Sequence, residues 1–306
     1  MKIVFMGTPK FAVPILEALN EKYEIALVVT QADKLVGRKQ TLEFSPVKEK
    51  ALELGLNVFQ PVKLKDDYLT ILSSDANVLI TAAYGQFVPT KVLKKFDYCL
   101  NVHGSLLPKR RGGAPIQRSI IEGDKETGVT IMEMVKGMDQ GRMFSVAKTD
   151  ILDSDNCDTL FDRLSIMGRD LLMSSLDDIL SGKNKGVPQV EEEATISPNI
   201  RPEEEEFDFN DTSRNIFNKI RGLSHEPGAY FVVNNTRVKV YEAKIVDTNS
   251  TSLAGTVLET KKHLIIKTND SALELIRIKV EGKKEMLARD FLNGQKLFIK
   301  DNLISR

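Results

Sequence analysis

The chain has 306 residues, 42% of them hydrophobic and 28% charged, and its 43 basic and 43 acidic residues leave no net charge. This composition is typical of a globular protein long enough for two domains, and two cysteines, Cys99 and Cys157, argue against a disulfide framework or a cysteine-based metal site. The N-terminus looks like a first strand rather than a signal peptide, and no apolar run approaches the roughly 20 residues that cross a bilayer, so we expect a cytoplasmic protein.

The first half of the chain alternates predicted strands and helices. Short apolar runs rich in β-branched residues predict strands at Ile3–Met6, Ile25–Thr30, Val78–Ala82 and Cys99–Val102. Helices are predicted at Phe11–Lys22 and at Pro46–Leu54, the second with Ser45 as its N-cap and Gly55 after its end. This alternation predicts an α/β fold with a doubly wound, mostly parallel sheet, whose functional groups belong at the carboxyl ends of the strands.

The second half begins with a long helix and then changes character. Apolar residues at helical spacing predict a helix over Asp158–Ser181, and the proline-rich, acidic stretch Lys183–Pro202 indicates a linker. A further helix is predicted at Thr212–Arg221. The alternating runs after it predict strands in a smaller, OB-like β-barrel domain, at Ala229–Val233, Arg237–Val246, Gly255–Glu259, Leu264–Thr268 and Leu273–Val280.

The charges are distributed unevenly along the chain. Residues 190–210 hold eight acidic residues and one basic residue, whereas residues 211–306 hold 17 Lys and Arg against 11 Asp and Glu. A basic C-terminal module is compatible with a polyanionic partner, although charge alone favours the simpler interpretation of a solvated surface.

The most informative stretch, residues 101–117, follows the last predicted strand of the first half and reads Asn-Val-His-Gly-Ser-Leu-Leu-Pro-Lys-Arg-Arg-Gly-Gly-Ala-Pro-Ile-Gln. It places Asn101 and His103 at a strand end, and Asp139 follows on a later turn between glycines. An amide and an imidazole can stabilise an oxyanion, while a carboxylate can hold the imidazole and assist loss of a proton from an attacking amine. The pattern therefore favours acyl transfer. The structural alternative is that Asn101 caps a turn and His103 is a core histidine.

Three other chemistries fit the sequence less well. A serine hydrolase with Ser105 as nucleophile requires Gly-x-Ser-x-Gly, and here the second glycine is missing and Pro108 would disturb the following helix. The first turn lacks the three-glycine fingerprint of dinucleotide binding. One histidine and one aspartate do not make a set of metal ligands.

The stretch from residue 101 to 117 resembles the signature of the folate-dependent formyltransferases. The resemblance covers nearly the whole chain and is most specific for the branch that acts on methionyl-tRNA. The further motifs that carry it are Met-Gly-Thr-Pro-Lys-Phe-Ala, Thr-Gln-Ala-Asp…Gly-Arg-Lys…Ser-Pro-Val-Lys, Gly-Asp-Lys-Glu-Thr-Gly-Val-Thr-Ile-Met, Met-Asp-Gln-Gly and Ile-Arg-Gly…Glu-Pro-Gly-Ala-Tyr.

The resemblance implies transfer of a formyl group from 10-formyltetrahydrofolate to the amino group of methionyl-initiator tRNA, without a metal. In this scheme Asn101 orients the formyl oxygen, His103 stabilises the oxyanion, and Asp139 fixes His103 and assists proton transfer. The residues implied to line the folate site are Ser105, Leu106, Leu107 and Pro108. Those implied to contact the tRNA are Arg38, Lys34 and Lys39 in the loop after the second strand.

The implied organisation is a formyltransferase catalytic domain with a Rossmann-like sheet (1–186), a linker (187–206) and a C-terminal tRNA-binding barrel (207–306). We expect a monomer with no membrane partner. Two features depart from the family pattern, since the loop around Arg38 has fewer prolines, glycines and lysines than usual and the linker is acidic.

Related activities remain open. A formyltransferase acting on a purine-pathway amine or a nucleotide sugar would share the catalytic domain, and a 10-formyltetrahydrofolate hydrolase would use the same three residues with water as acceptor. A non-catalytic RNA-binding protein would leave those three residues without a purpose.

Overall fold

The structure, a computed structural model, describes residues 1–36, 41–295 and 297–304, which pack as two compact units. The first unit contains residues 1–115, 126–150 and 161–198, and the second contains residues 116–125, 151–160 and those from 199 onward. The helices are α1 Val13–Lys22, α2 Pro46–Glu53, α3 Leu69–Leu72, α4 Thr90–Leu93, α5 Pro115–Ile121, α6 Cys157–Leu180, α7 Ser213–Gly222 and α8 Ala288–Leu292. Short 3-10 turns lie at Lys10–Ala12, Glu191–Glu193 and Pro202–Glu204.

The first unit is built on a seven-stranded, mostly parallel sheet. Its strands are β1 Lys2–Gly7, β2 Glu24–Val29, β5 Val58–Phe59, β6 Val78–Ala82, β7 Tyr98–His103, β8 Glu126–Glu133 and β9 Met143–Asp150. Their spatial order is β5-β2-β1-β6-β7-β8-β9, parallel as far as β7 and antiparallel at β8 and β9. The four predicted strands are confirmed as β1, β2, β6 and β7. A separate hairpin is formed by β3 Lys34–Val36 and β4 Thr41–Glu43.

Burial explains why the central strands were predictable from sequence. Val4 and Met6 are fully buried in one apolar core of this unit. Ile3 and Phe5 are equally buried, and because alternate residues of a strand point to opposite faces, both faces of β1 are covered. Strands covered on both faces have nearly continuous apolar sequences, whereas β9 is an edge strand with alternating exposure and gives a weaker signal.

The predicted helices are confirmed with small shifts at their ends. In the first predicted helix, Lys10–Ala12 forms a 3-10 turn and α1 follows it. Ser45 caps α2 as predicted, since its Oγ accepts the Lys48 backbone N–H at 3.1 Å, and Gly55 has a positive φ of 68° just beyond the helix. None of the helices in the described ranges is long and apolar enough to cross a membrane.

The second unit contains an antiparallel half-barrel. Its strands are β10 Tyr230–Val233, β11 Thr236–Val246, β12 Val257–Glu259, β13 Leu264–Lys267, β14 Ala272–Val280 and β15 Met286–Leu287. They pair in the order β10-β11-β14-β13-β12, and β15 adds to β14. The five predicted strands are thus confirmed. The α7 residues Ile216 and Ile220 pack into the apolar core of this unit together with Phe231.

Candidate active site

The site is centred on the last residues of β7. Asn101 and His103 are two positions apart on this strand, so their side chains lie on the same face of the sheet. Thr81 lies opposite Asn101 in the β6–β7 pairing, and its hydroxyl donates to Asn101 Oδ1 at 2.8 Å. This bond holds the amide with its oxygen toward Thr81, which leaves the Nδ2 group as the available donor. Thr81 is only 3% exposed and breaks an otherwise apolar strand, a signal that the sequence prediction did not use.

The imidazole of His103 is oriented by a backbone carbonyl. His103 Nε2 lies 3.0 Å from the carbonyl oxygen of Arg110, and because a carbonyl can only accept, Nε2 carries the proton and donates. Nδ1 therefore faces the rest of the site. It lies 3.8 Å from Asp139 Oδ2, a separation too long for a direct hydrogen bond but short enough for a strong electrostatic interaction with a protonated ring.

Asp139 is held on its turn by a second contact. Its Oδ2, the same oxygen that faces His103, accepts the backbone N–H of Gly112 at 2.8 Å. Gly112 has a φ of 120°, and a side chain there would approach the Ser197 carbonyl oxygen to 2.6 Å, so this position requires glycine. The structure thus brings Asn101, His103 and Asp139 together, as the sequence predicted, and adds Gly112 as an amide donor.

The Ser105–Pro108 turn follows β7 and is largely buried. Ser105 is fully buried and its hydroxyl donates to the Lys109 carbonyl at 2.8 Å, so its side chain stabilises the turn. Thr130 on β8 donates to the Ser105 carbonyl at 2.7 Å and accepts the Leu107 N–H at 3.2 Å. Leu107 and Pro108 are buried, and Leu106 is half-buried. The turn therefore has a fixed backbone and an apolar surface next to the site.

The acidic linker has specific partners within each unit. In the first unit, Glu191 forms a bidentate ion pair with Arg111, with both oxygens 2.9 Å from guanidinium nitrogens. In the second unit, Glu204 binds Arg118 at 2.7 Å, and this contact lowers the pKa of Glu204 to about 2. These carboxylates therefore neutralise arginines of the protein itself.

The predicted tRNA loop is only partly within the described residues. Lys34 is exposed at the start of β3, whereas Arg38 and Lys39 lie outside the described residues. Near the hairpin, Lys48 Nζ binds Asp33 at 2.5 Å, and the Gln60 amide donates to the other Asp33 oxygen at 2.8 Å. Gln60 and Lys48 together hold the pKa of Asp33 below its ordinary value.

The half-barrel carries a basic groove of about 510 Å³ on the surface of the second unit. Lys261, Lys262 and Arg289 line it, together with His263, whose Nδ1 lies 2.6 Å from Glu274 Oε1. Elsewhere, in the ranges that the structure describes, no group of three or more His, Cys, Asp or Glu side chains is placed to hold a metal ion.

Comparison with known families decides the assignment. Residues 1–176 match the family model of formyl transferases, and residues 199–296 match that of the formyl transferase C-terminal domain. The chain belongs to the formyl transferase family. This formyl transferase is 48% identical over 298 residues to a methionyl-tRNA formyltransferase of Streptococcus thermophilus, covering 96% of this chain and 95% of the relative. A methionyl-tRNA formyltransferase of Streptococcus pyogenes serotype M12 is also 48% identical, over 96% of each chain.

Solved structures resemble the fold of this formyl transferase at lower sequence identity. HypX from Aquifex aeolicus in complex with tetrahydrofolic acid matches with a TM-score of 0.66 at 16% identity, over 96% of this chain and 47% of HypX. An N-formyltransferase from Helicobacter canadensis, in complex with folinic acid and dTDP-3-aminofucose, matches with a TM-score of 0.66 at 19% identity, over 90% of this chain and 98% of the other. These similarities confirm the predicted fold class.

Proposed function

We propose that this formyl transferase transfers the formyl group of 10-formyltetrahydrofolate to the amino group of methionyl-initiator tRNA. The observation that carries the proposal is the convergence of Asn101, His103 and Asp139 at the carboxyl end of β7. The identity of 48% along nearly the whole chain to relatives named for that reaction supports methionyl-tRNA as the acceptor.

In the proposed reaction, the methionyl nitrogen attacks the formyl carbon and a new C–N bond forms. The formyl oxygen gains negative charge, and the Nδ2 group of Asn101, held by Thr81, donates to it. Fixed donors of this kind stabilise a developing oxyanion without changing their own charge. Protonated His103 adds a second donor from Nδ1, because Nε2 is already bonded to the Arg110 carbonyl.

The remaining step moves a proton from the attacking amine to the leaving nitrogen of folate as the old C–N bond breaks. Asp139 is suited to accept and return that proton, since its Oδ2 lies near His103 Nδ1 and is oriented by the Gly112 amide. These roles require no metal ion.

For the folate co-substrate, we propose contact with the Ser105–Pro108 turn. The half-buried Leu106 and the buried Leu107 and Pro108 give an apolar surface, which suits the flat pterin ring. Ser105 contributes through the backbone, since its hydroxyl is bonded to the Lys109 carbonyl.

For the tRNA, we propose contacts from Lys34, Arg38 and Lys39 and from the basic half-barrel. Phosphate contact requires accessible cations, and Lys261 and Lys262 are exposed beside the half-barrel groove. The division into catalytic domain, linker and tRNA-binding domain at residues 186 and 206 stays a prediction, as do a monomeric state and a cytoplasmic location.

A competition assay tests this proposal. Charged initiator tRNA, free methionine and water are offered together as acceptors of the formyl group, and the products are separated. We expect formyl-methionyl-tRNA to dominate. Formylation of free methionine at a comparable rate would favour a small-molecule transferase, and release of formate would favour the hydrolase.

A substitution in the loop tests the tRNA contact separately. Arg38→Ala should raise KM for methionyl-tRNA and leave folate binding intact, because it removes a cation from the tRNA side only. Lys91→Ala, an exposed lysine on α4, is the matched control. An unchanged KM in the Arg38 variant would assign the loop to the solvated surface.

A further inference from the structure

The turn that carries Asp139 has an unusual backbone conformation. Asp139 has a φ of 52°, in the left-handed region that side chains other than glycine seldom adopt. Such a conformation persists when surrounding contacts determine it, and it is common where a side chain must be aimed accurately. The contacts that fix this turn are therefore of functional interest.

Gln189 makes the contacts that fix the turn from outside. Its Nε2 donates to the carbonyl oxygens of Asp139 at 2.7 Å and Gly141 at 2.8 Å, so both amide hydrogens are used on the one turn. Its Oε1 accepts from Arg111 Nε at 3.0 Å. The two ends of the Gln189 amide thus join the Asp139 turn to Arg111.

Arg111 is itself immobilised. Its side chain is 2% exposed and is paired with both oxygens of Glu191. Its backbone N–H donates to the Thr195 carbonyl at 2.9 Å, and its carbonyl accepts the Ser197 N–H at 2.6 Å. The chain after α6 thereby holds Arg111 through its side chain and its backbone.

These contacts close a ring around the carboxylate of Asp139. The carboxylate accepts the N–H of Gly112, which directly follows Arg111 in the chain. Arg111 binds Gln189, and Gln189 returns to the carbonyl of Asp139. Every hydrogen-bonding atom of the Gln189 side chain serves this ring, while its neighbour Val190 is 51% exposed. The residue therefore acts through polar contacts and not through burial of an apolar surface.

We propose that Gln189 is a positioning residue for Asp139, which keeps the carboxylate at its working distance from His103 during formyl transfer. This rests on the function proposed above. Without the Gln189 amide, the turn would lose its two external donors and the carboxylate its fixed aim. Misplacement of a reacting group by about 1 Å can lower a rate on the order of 100-fold, while sites that only bind substrate are unaffected.

Two substitutions separate positioning from general structure. Gln189→Leu removes all three hydrogen bonds at similar volume. Gln189→Glu keeps an acceptor for Arg111 Nε but offers no N–H to the two carbonyls. Val190→Ala, at the exposed neighbouring position, is the matched control.

We expect kcat to fall roughly 10- to 100-fold in both Gln189 variants, with KM for folate and for methionyl-tRNA changed less than about twofold. Amide hydrogen exchange at Gly112 and in residues 137–141 should become faster, and the Val190 control should behave like wild type. A wild-type kcat in Gln189→Glu, or a rise in KM with kcat unchanged, would overturn the proposal.

The exchange measurement also separates this proposal from the proposed function. If the wild-type protein does not formylate methionyl-tRNA, the function proposed above is wrong. Exchange at Gly112 that is unaltered in the Gln189 variants would instead refute the positioning role, whatever the acceptor.

Discussion

Replacing Thr81 by valine tests whether the orientation of Asn101 matters for catalysis. Valine has the shape of threonine and suits a buried strand, so the change removes one hydroxyl from β6 and little else. The lost contact is the 2.8 Å bond from Thr81 to Asn101 Oδ1. Without it, the two ends of the amide can exchange places, and the Nδ2 donor is no longer directed to one side.

The expected magnitude follows from the worth of that bond. A hydrogen bond of this kind contributes about 1 kcal/mol, which corresponds to a roughly fivefold lower kcat. The upper limit is loss of the donor itself, so Asn101→Ala should cost about 100- to 1,000-fold. Thr81→Ser, which keeps the hydroxyl, should stay close to wild type.

The assay is single-turnover formyl transfer to methionyl-tRNA at saturating folate, with thermal unfolding measured in parallel. We expect the rates to follow the order wild type, Thr81→Ser, Thr81→Val and Asn101→Ala, with similar unfolding temperatures for the first three. Equal rates for Thr81→Val and Thr81→Ser would show that the hydroxyl does not orient the amide, and the assignment of Asn101 Nδ2 as the oxyanion donor would lose its structural basis.

Three further predictions concern charge. Asp139→Asn should lower kcat by at least about 100-fold while tetrahydrofolate still binds, as followed by fluorescence; near-normal turnover would remove Asp139 from the reaction. The pKa of Glu204 is lowered from 4.5 to about 2 by Arg118, so its carboxylate stabilises the fold above pH 4.5 and this contribution is lost as the pH falls toward 2. In urea unfolding, Glu204→Gln should be about 1 kcal/mol less stable at pH 6 with a flatter acid dependence, and a wild-type acid dependence would contradict this. Joint replacement of Lys261 and Lys262 by alanine should reduce the salt dependence of KM for tRNA by a log–log slope of about 1 to 2, and an unchanged slope would exclude the half-barrel groove from the tRNA contact.

The elements that the sequence predicted best are those whose pattern reflects burial or capping. The strand β6 is buried at every position, and Ser45 with Pro46 marks the start of α2 by local chemistry. By contrast, β8 contains Gly128 and begins with charged residues. Its pairing with β7 depends on contacts distant in sequence, which no local pattern reveals.

The candidate site divides in the same way. Asn101 and His103 could be found because two polar side chains end an apolar strand. Thr81 and Gln189 could not, since each acts through a partner 20 or 50 positions away. The acidity of the linker suggested only repulsion of phosphate, and its pairing with Arg111 becomes visible when the chain is folded.

The ring around Asp139 also has a consequence for the order in which the protein matures. Its members are supplied by segments near residues 111, 139 and 189, with the whole of α6 synthesised between the last two. A nascent chain that has just completed α6 already contains Asn101, His103 and Asp139 but lacks the amide that restrains the Asp139 turn. Competence for chemistry is thus delayed until the first residues after α6 have returned to the sheet, and a fragment ending at residue 186 would fold around an unrestrained carboxylate.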